Sequence, residues 1–127
     1  MVNIDQIRAH ITQILARMGS KYASEAAIDL ILATGMAESG YRYIRQISGP
    51  ARGFWQVEPD TAKDNVDNYL KYRLPLMEKC AEASRVSLKD WQYGSVQDWE
   101  DILETNIASG IIHARLKYWR VPKPLVH

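Results

Sequence analysis

The feature that most constrains the fold of this chain is a helix-length segment that is apolar on most of its faces. It runs from Ser24, which can cap a helix, to about Gly35, and consists mainly of alanine, isoleucine and leucine. A helix without a polar face is stable only when other elements cover it, so the segment predicts a buried central helix in a mainly α fold. Glu38 follows at the C-terminal edge of this helix. We therefore expect a carboxyl group close to the core.

Other apolar stripes predict the helices that pack around this segment. Asn3 can cap a first helix whose isoleucine, leucine and methionine side chains recur every three or four positions up to Met18, and Gly19 ends it. Further helices are predicted from Pro59-Asp60-Thr61, with Asp60 as the cap, over about 75–84, with Pro75 in the first turn, and from Ser95 or Gln97 through Leu116 as one long helix. Pro122 and Pro124 are expected to stop the last helix.

Residues 41–58 differ in character from the predicted helices. Tyr41 and Tyr43 favour extended structure, whereas Ser48-Gly49-Pro50 and Gly53 mark turns. This pattern predicts a short hairpin or an irregular lobe. A second loop is expected around 84–94. Three tryptophans at helical spacing are expected to pack in the core: Trp91, Trp99 and Trp119.

The composition of the chain limits the kinds of protein and of binding site that we expect. The chain has 127 residues, of which 46% are apolar, and this length and composition predict one domain over 1–127 with its own core. A formal net charge of +1 gives no general attraction to nucleic acid, which we do not expect as a partner. Cys80 is the single cysteine and cannot form an internal disulfide. The three histidines are scattered, so we expect no metal and no cofactor.

Glu38 is the strongest candidate for acid–base chemistry. Cleavage of a glycosidic bond needs a carboxylic acid that donates a proton to the leaving oxygen. A glutamate partly buried against apolar groups such as Met36 and Trp55 can keep that proton, because burial disfavours the charged form. The alternative is an ordinary exposed glutamate at the end of a helix.

The spacing of the residues after Glu38 favours the chemical role. Glu38-Ser39 is followed by Tyr41, by Gly53-Phe54-Trp55-Gln56 fifteen positions after Glu38, by Pro59 and by Thr61-Ala62. A later segment reads Asn106-Ile107-Ala108-Ser109-Gly110. Together these segments resemble the signature of the soluble lytic transglycosylase (SLT) family, within the wider lysozyme-like group. That signature has Glu-Ser at the end of a buried helix, an aromatic residue, Gly-x-x-Gln, a proline and Thr-Ala.

The resemblance implies a lysozyme-like α+β fold, in which a helical domain carries a small hairpin or irregular lobe beside the active-site cleft. It also implies that Glu38 is the general acid and base that cleaves peptidoglycan glycan strands between N-acetylmuramic acid and N-acetylglucosamine. In the family, the muramic C6 hydroxyl attacks the anomeric carbon and gives a 1,6-anhydro product without consuming water. One protein carboxylate is enough for this reaction, because the substrate supplies the nucleophile.

Five residues are candidates for contact with the glycan: Ser39, Tyr43, Gly53, Trp55 and Gln56. By resemblance, Ser39 orients the glutamate, although its hydroxyl could equally satisfy backbone groups at the helix end. The Gln56 amide can both donate to and accept from an N-acetyl group. Gly53 allows the backbone to approach a ligand closely or simply to turn. Tyr43 and Trp55 can stack on sugar faces or pack in the interior.

The chain departs from the family pattern near its end. The late Ala-Tyr-Asn-Ala-Gly motif of the family, whose tyrosine binds sugar beside the acid, is missing, and the sequence closes with Val121–His127. Truncation, substitution by another aromatic residue and loss of activity all account for this. Two further functions stay open, and the missing motif is the observation behind the non-enzymatic one. One is a hydrolytic lysozyme that uses Glu38 with Glu58 or Asp60, and the other is an inactive glycan-binding or virion structural module.

The N-terminus bears on how such a protein would reach the cell wall. Met1–Gln6 shows no basic segment leading into an apolar core, so we expect no signal peptide. No run of about 18 apolar residues occurs, so we expect no membrane span. We expect synthesis in the cytoplasm and action on the cell wall. A phage or prophage origin, with association with virion proteins, fits this combination.

Overall fold

Seven α-helices make up most of the described chain, residues 2–121 of a computed structural model. They are α1 (Ile4–Met18), α2 (Glu25–Glu38), α3 (Pro59–Asn68), α4 (Leu74–Ser84), α5 (Leu88–Tyr93), α6 (Val96–Thr105) and α7 (Ile107–Trp119), with short 3-10 turns at Ser20–Tyr22 and Leu70–Tyr72. Within residues 2–121 the only extended pairing is two isolated bridges, which join Arg52 to Arg45 and to Val57. The prediction of a mainly α fold is confirmed.

The first helix follows its sequence signals. The Asn3 side chain accepts a hydrogen bond from the backbone N–H of Gln6 at 3.0 Å, and Gly19 ends the helix with φ at 141°. The apolar stripe of α1 is buried, with Ile11 and Leu15 fully enclosed. Burial of this stripe against α2, α4 and α7 stabilises the helix, because a helix of this length is marginal on its own.

Helix α2 is less enclosed than its composition predicts. Ser24 caps it as expected, by accepting from the N–H of Ala27 at 3.1 Å. Its buried side is Ala27, Ile28, Ile31 and Gly35, whereas Ala33 and Met36 are exposed. The prediction that α2 is buried on most faces is therefore wrong. Helices α1 and α7 contact α2, but its C-terminal turn is exposed to solvent. That turn carries Glu38.

The start of α3 differs from the prediction by two residues. Glu58, not Asp60, occupies the cap position, and it makes no side-chain capping bond. Pro59 takes the first helical position because its fixed φ suits a helix and its missing N–H needs no partner there. Asp60 lies in the first turn, where its charge favours the N-terminal end of the helix dipole. The predicted helix at Pro75 is observed as α4.

The prediction of a single long helix from residue 95 or 97 is wrong, because the helix is interrupted at Asn106, which separates α6 from α7. This residue has φ −120° and ψ 104°, and its side chain caps α7 by accepting from the N–H of Ser109 at 2.7 Å. Its amide also donates to the backbone oxygen of Ser84 at 3.0 Å. The expected loop around 84–94 contains the short helix α5. Helix α7 ends at Trp119, and Pro122 and Pro124 lie outside the described residues.

One core joins the helices from α1 to α7. Helix α7 contributes most to it, with nine consecutive residues from Ala108 to Leu116 buried. Trp91 and Trp99 are fully buried as expected, and their ring centroids lie 4.7 Å apart in an edge-to-face arrangement. Trp119 is partly buried against the same core. None of the helices in the described part of the chain has the length and apolar character needed to cross a lipid bilayer.

Candidate functional site

A cavity of about 320 Å³ opens between α2, the start of α3, α7 and the segment 41–58. We call the cavity the cleft and the segment 41–58 the lobe. Three predicted site residues line the cleft together: Glu38, Trp55 and Gln56. Ser39, Tyr43 and Gly53 are not among its lining residues. The lobe is irregular, which is one of the two alternatives that the sequence predicts for it.

Glu38 is the last residue of α2 and is exposed, so its predicted partial burial against apolar side chains is wrong. The neighbouring Met36 is itself 43% exposed and provides no cover. The carbonyl oxygen of Glu38 accepts a hydrogen bond from the Tyr43 hydroxyl at 2.8 Å. Tyr43 thereby satisfies one of the free carbonyls at the end of α2 and fixes the lobe to it.

Ser39 is buried, and its hydrogen bonds in the described part of the chain are all to backbone atoms. Its hydroxyl donates to the carbonyl oxygen of Phe54 at 2.6 Å and accepts from the N–H of Tyr41 at 3.0 Å. These bonds tie the lobe to the end of α2, and they correspond to the structural alternative for Ser39. Tyr41 is buried beside α2, and its hydroxyl donates to Leu32 at 2.7 Å. Its ring fits there because Gly35 has no Cβ, which would overlap it.

Trp55 joins the cleft to the core. Only 3% of its surface is exposed, and its indole Nε1 donates to the carbonyl oxygen of Ile31 on α2 at 2.9 Å. On the other side it lies so close to α7 that a Cβ at Gly110 would come within 3.2 Å of the ring. Trp55 is therefore mainly a packing residue that lends one face to the cleft wall.

Gln56 presents a polar group to the cleft. Its backbone has φ at 49°, in the left-handed region, because it closes a tight turn back to Gly53. Its Nε2 donates to the Gly53 carbonyl at 2.8 Å. Within the described residues its Oε1 accepts no hydrogen bond and is free for a ligand N–H or O–H.

A glycine is needed at position 53 because of packing on the side of the lobe that faces α6. Its φ is 76°, and a Cβ would lie 2.8 Å from the carbonyl oxygen of Leu103 on α6. It lines a second cavity of about 200 Å³ that lies between the lobe, α6 and α7, with Trp55 as a shared wall. Gly53 thus lets the lobe approach α6 closely, and it is not among the residues that line the cleft.

Tyr118 is a cleft residue that the sequence signature does not assign. The Thr34 hydroxyl donates to Leu30 at 2.7 Å, so the Tyr118 hydroxyl, 3.0 Å away, must donate to Thr34. Thr34 precedes Glu38 by one helical turn, on the same face of α2. The phenol of Tyr118 is therefore fixed beside the helix that carries Glu38. The absent late tyrosine motif was the signal that another aromatic residue could occupy this place.

Ion pairs hold the lobe against α6. Arg52 Nη2 lies 2.7 Å from Glu100, its Nε lies 3.4 Å from Glu104, and Arg45 also pairs with Glu104. The Arg45 guanidinium holds the pKa of Glu104 below its ordinary value. Arg52 is central, because its Nη1 also donates to the carbonyl oxygens of Gly49 and Ala51, within the lobe itself.

Replacing Arg52 by methionine is expected to loosen the lobe. The substitution keeps the length of the side chain but removes the bonds to Glu100 and to the lobe backbone, and we expect a loss of about 1–2 kcal/mol in the free energy of unfolding. Urea denaturation measures that loss, and limited proteolysis should cut the lobe faster. Arg42→Met is the matched control, because Arg42 is exposed in the same lobe and makes no ion pair within residues 2–121. Equal effects of the two variants would contradict the anchoring role.

A second carboxylate lies in the cleft wall. Glu58 lines the cleft with Glu38 and is exposed, whereas Asp60 is not among the lining residues. In the described part of the chain, no group of three or more His, Cys, Asp or Glu side chains is placed to hold a metal ion.

Comparison with protein-family models, with curated proteins and with solved structures finds no match to this chain. Assignment of a function therefore depends on the chemistry of the cleft residues and on the motif that they carry.

Proposed function

We propose that the cleft binds peptidoglycan glycan strands and that the chain is a lytic transglycosylase of the SLT type within the lysozyme-like group. The observation that carries this proposal is the position of Glu38, which projects from the last turn of α2 into a cleft shared with Gln56 and Tyr118. A carboxyl group that lines an open cleft at the end of a helix is accessible to a bound glycan. Such a position suits an acid that must reach a substrate.

In the proposed reaction Glu38 first acts as an acid. It donates its proton to the oxygen that bridges C1 of N-acetylmuramic acid and C4 of N-acetylglucosamine, and the C1–O bond breaks. The carboxylate then accepts the proton of the muramic C6 hydroxyl as that oxygen bonds to C1. Atoms and charge balance without water, and Glu38 regains its proton. Because Glu38 is exposed in the free protein, the bound glycan must supply the cover that excludes water from the carboxyl group.

Two neighbours have proposed roles in holding the sugar. The free Oε1 of Gln56 can accept the N–H of an N-acetyl group. The Tyr118 hydroxyl donates to Thr34, so its oxygen retains lone pairs for a sugar hydroxyl, and its ring provides an apolar surface. Tyr118 would then replace the tyrosine of the missing late motif. Trp55 supports the wall behind them.

One observation favours a second candidate, a hydrolytic lysozyme. Glu58 lines the cleft with Glu38, so a carboxylate is available to activate water or to act as a nucleophile. Asp60, which lies away from the cleft lining, is not retained in this role. The lytic mechanism needs no contribution from Glu58, so the two candidates differ in their products and in the effect of a Glu58 variant.

The products of peptidoglycan digestion test the proposal. We expect 1,6-anhydromuropeptides, lighter by one water than the corresponding reducing ends, and no label from isotope-labelled water in the new chain ends. Mass spectrometry of a digest in labelled water measures both properties. Glu58→Gln is expected to leave the product identity unchanged. Labelled reducing ends that disappear in Glu58→Gln would instead establish the lysozyme. A protein with no products at any concentration would overturn both candidates in favour of a binding module.

A further inference from the structure

The lining of the cleft contains a basic residue that the proposed chemistry does not use. Lys117 lies in the last turn of α7, directly before Tyr118, and lines the cleft that Glu38 and Glu58 also line. Among the described residues that line the cleft it is the single lysine or arginine.

The ammonium group of Lys117 has no partner among the residues that the structure describes. Lys117 is exposed, and within residues 2–121 it makes neither an ion pair nor a side-chain hydrogen bond. Arg120, three residues further along the chain, is by contrast paired with Asp64 at 2.8 Å. The three donors of Lys117 are therefore available to a ligand.

The backbone that carries Lys117 is held in place. The neighbouring Tyr118 bonds to Thr34 on α2, and Arg120 bonds to both Asp64 and Asn65 on α3. These contacts fix the end of α7 against both helices. The attachment point of Lys117 is thus set relative to Glu38, although its long side chain keeps its own freedom.

We infer that Lys117 recognises a carboxylate of the substrate, so that the cleft selects acidic muramic glycans over neutral N-acetylglucosamine polymers. This inference rests on the proposed function. A neutral glycan would crowd the ammonium group and remove some of its water without offering an anion in exchange, whereas a carboxylate would form a charge-assisted hydrogen bond. N-acetylmuramic acid has a lactyl carboxylate when it is unsubstituted, and peptide stems add carboxylates of their own. Either source supplies the chemistry that Lys117 fits.

Binding is best measured in a Glu38→Gln background, where the glycan is not cleaved. Three ligands separate the sources of charge: neutral chito-oligosaccharides, glycan strands with free lactyl carboxylates, and strands with peptide stems. Adding Lys117→Gln is expected to weaken binding of one or both acidic ligands by about tenfold at low ionic strength and to leave binding of the neutral ligand unchanged or slightly stronger. Lys89→Gln is the matched control, because it removes the same charge from an exposed position on α5.

The outcomes test the role of Lys117 separately from the proposed function on which it rests. A loss for the stem-bearing ligand alone, or for the free lactyl ligand alone, supports the inference and names the source. An equal loss for neutral and acidic ligands, or no loss, overturns the inference and leaves the proposed function standing. Failure of the Glu38→Gln protein to bind any of the three ligands overturns both.

Discussion

Glu38→Gln is expected to abolish release of glycan fragments while leaving the protein folded and slightly more stable. The amide cannot donate the proton that the leaving oxygen needs, and loss of a general acid lowers rates by about 10²–10⁴. The stability gain follows from position: Glu38 is exposed at the C-terminal end of α2, where removal of a negative charge is favourable by about 0.3–1 kcal/mol. Turbidity clearance of purified cell walls and thermal unfolding measure the two effects.

The combination of lost activity and retained stability distinguishes catalysis from a structural role. Glu78→Gln is a suitable control, since Glu78 is exposed on α4 and away from the cleft lining. It is expected to leave cleavage unchanged. If Glu38→Gln clears cell walls as fast as the parent, Glu38 is not the acid. If neither the parent nor Glu38→Gln clears cell walls but both bind glycan, the cleft is a binding site alone.

The parts of the fold that depend on local sequence are those that the sequence predicts best. Asn3 and Ser24 each accept a hydrogen bond from an N–H three residues on, which is a contact within a single turn. Trp91 and Trp99 lie at apolar positions of their helices and are buried as expected. Such features need no knowledge of which helix packs on which.

The features that the sequence predicts wrongly depend on contacts between residues that are distant along the chain. The break at Asn106 interrupts an apolar stripe that continues in register on both sides, so periodicity alone hides it; the capping preference of asparagine was the available signal. Tyr118 reaches the cleft through a bond to Thr34, 84 positions away in the chain. The exposure of Glu38 likewise depends on where α1 and α7 leave α2 uncovered. The motif thus identifies cleft residues without fixing their burial.

The second large effect expected is a loss of stability in mild acid that originates at His113. Asn65 Oδ1 accepts a hydrogen bond from Arg120, so its amide NH₂ must face His113, where it lies 3.1 Å from Nδ1. The Nδ1 atom is therefore an acceptor, and the neutral ring carries its proton on Nε2. The ring is fully buried, stacked on Trp91 at 4.9 Å and set against Trp99 at 4.6 Å.

Burial lowers the pKa of His113 to about 3, because the charged imidazolium cannot be solvated there. The unfolded chain has an ordinary histidine, with a pKa of about 6.5. Between these two values the unfolded state binds a proton that the folded state does not, so stability is complete above pH about 6.5 and falls as the pH is lowered towards 3. At about 1.4 kcal/mol per pH unit, the whole window represents about 5 kcal/mol, a large share of the stability of a small domain.

Urea denaturation between neutral pH and about pH 5 measures this slope, in a range above the unperturbed pKa values of carboxylates. His113→Gln is expected to flatten it, even if the variant is less stable at neutral pH. His10→Gln is the control: burial and Arg17 lower the pKa of His10 as well, but it is only partly buried, so most of the slope should remain. NMR titration of the folded parent gives a test without substitution, because the His113 ring should stay neutral down to about pH 4. A folded-state pKa near 6.5 would contradict the burial cost on which the predicted slope depends.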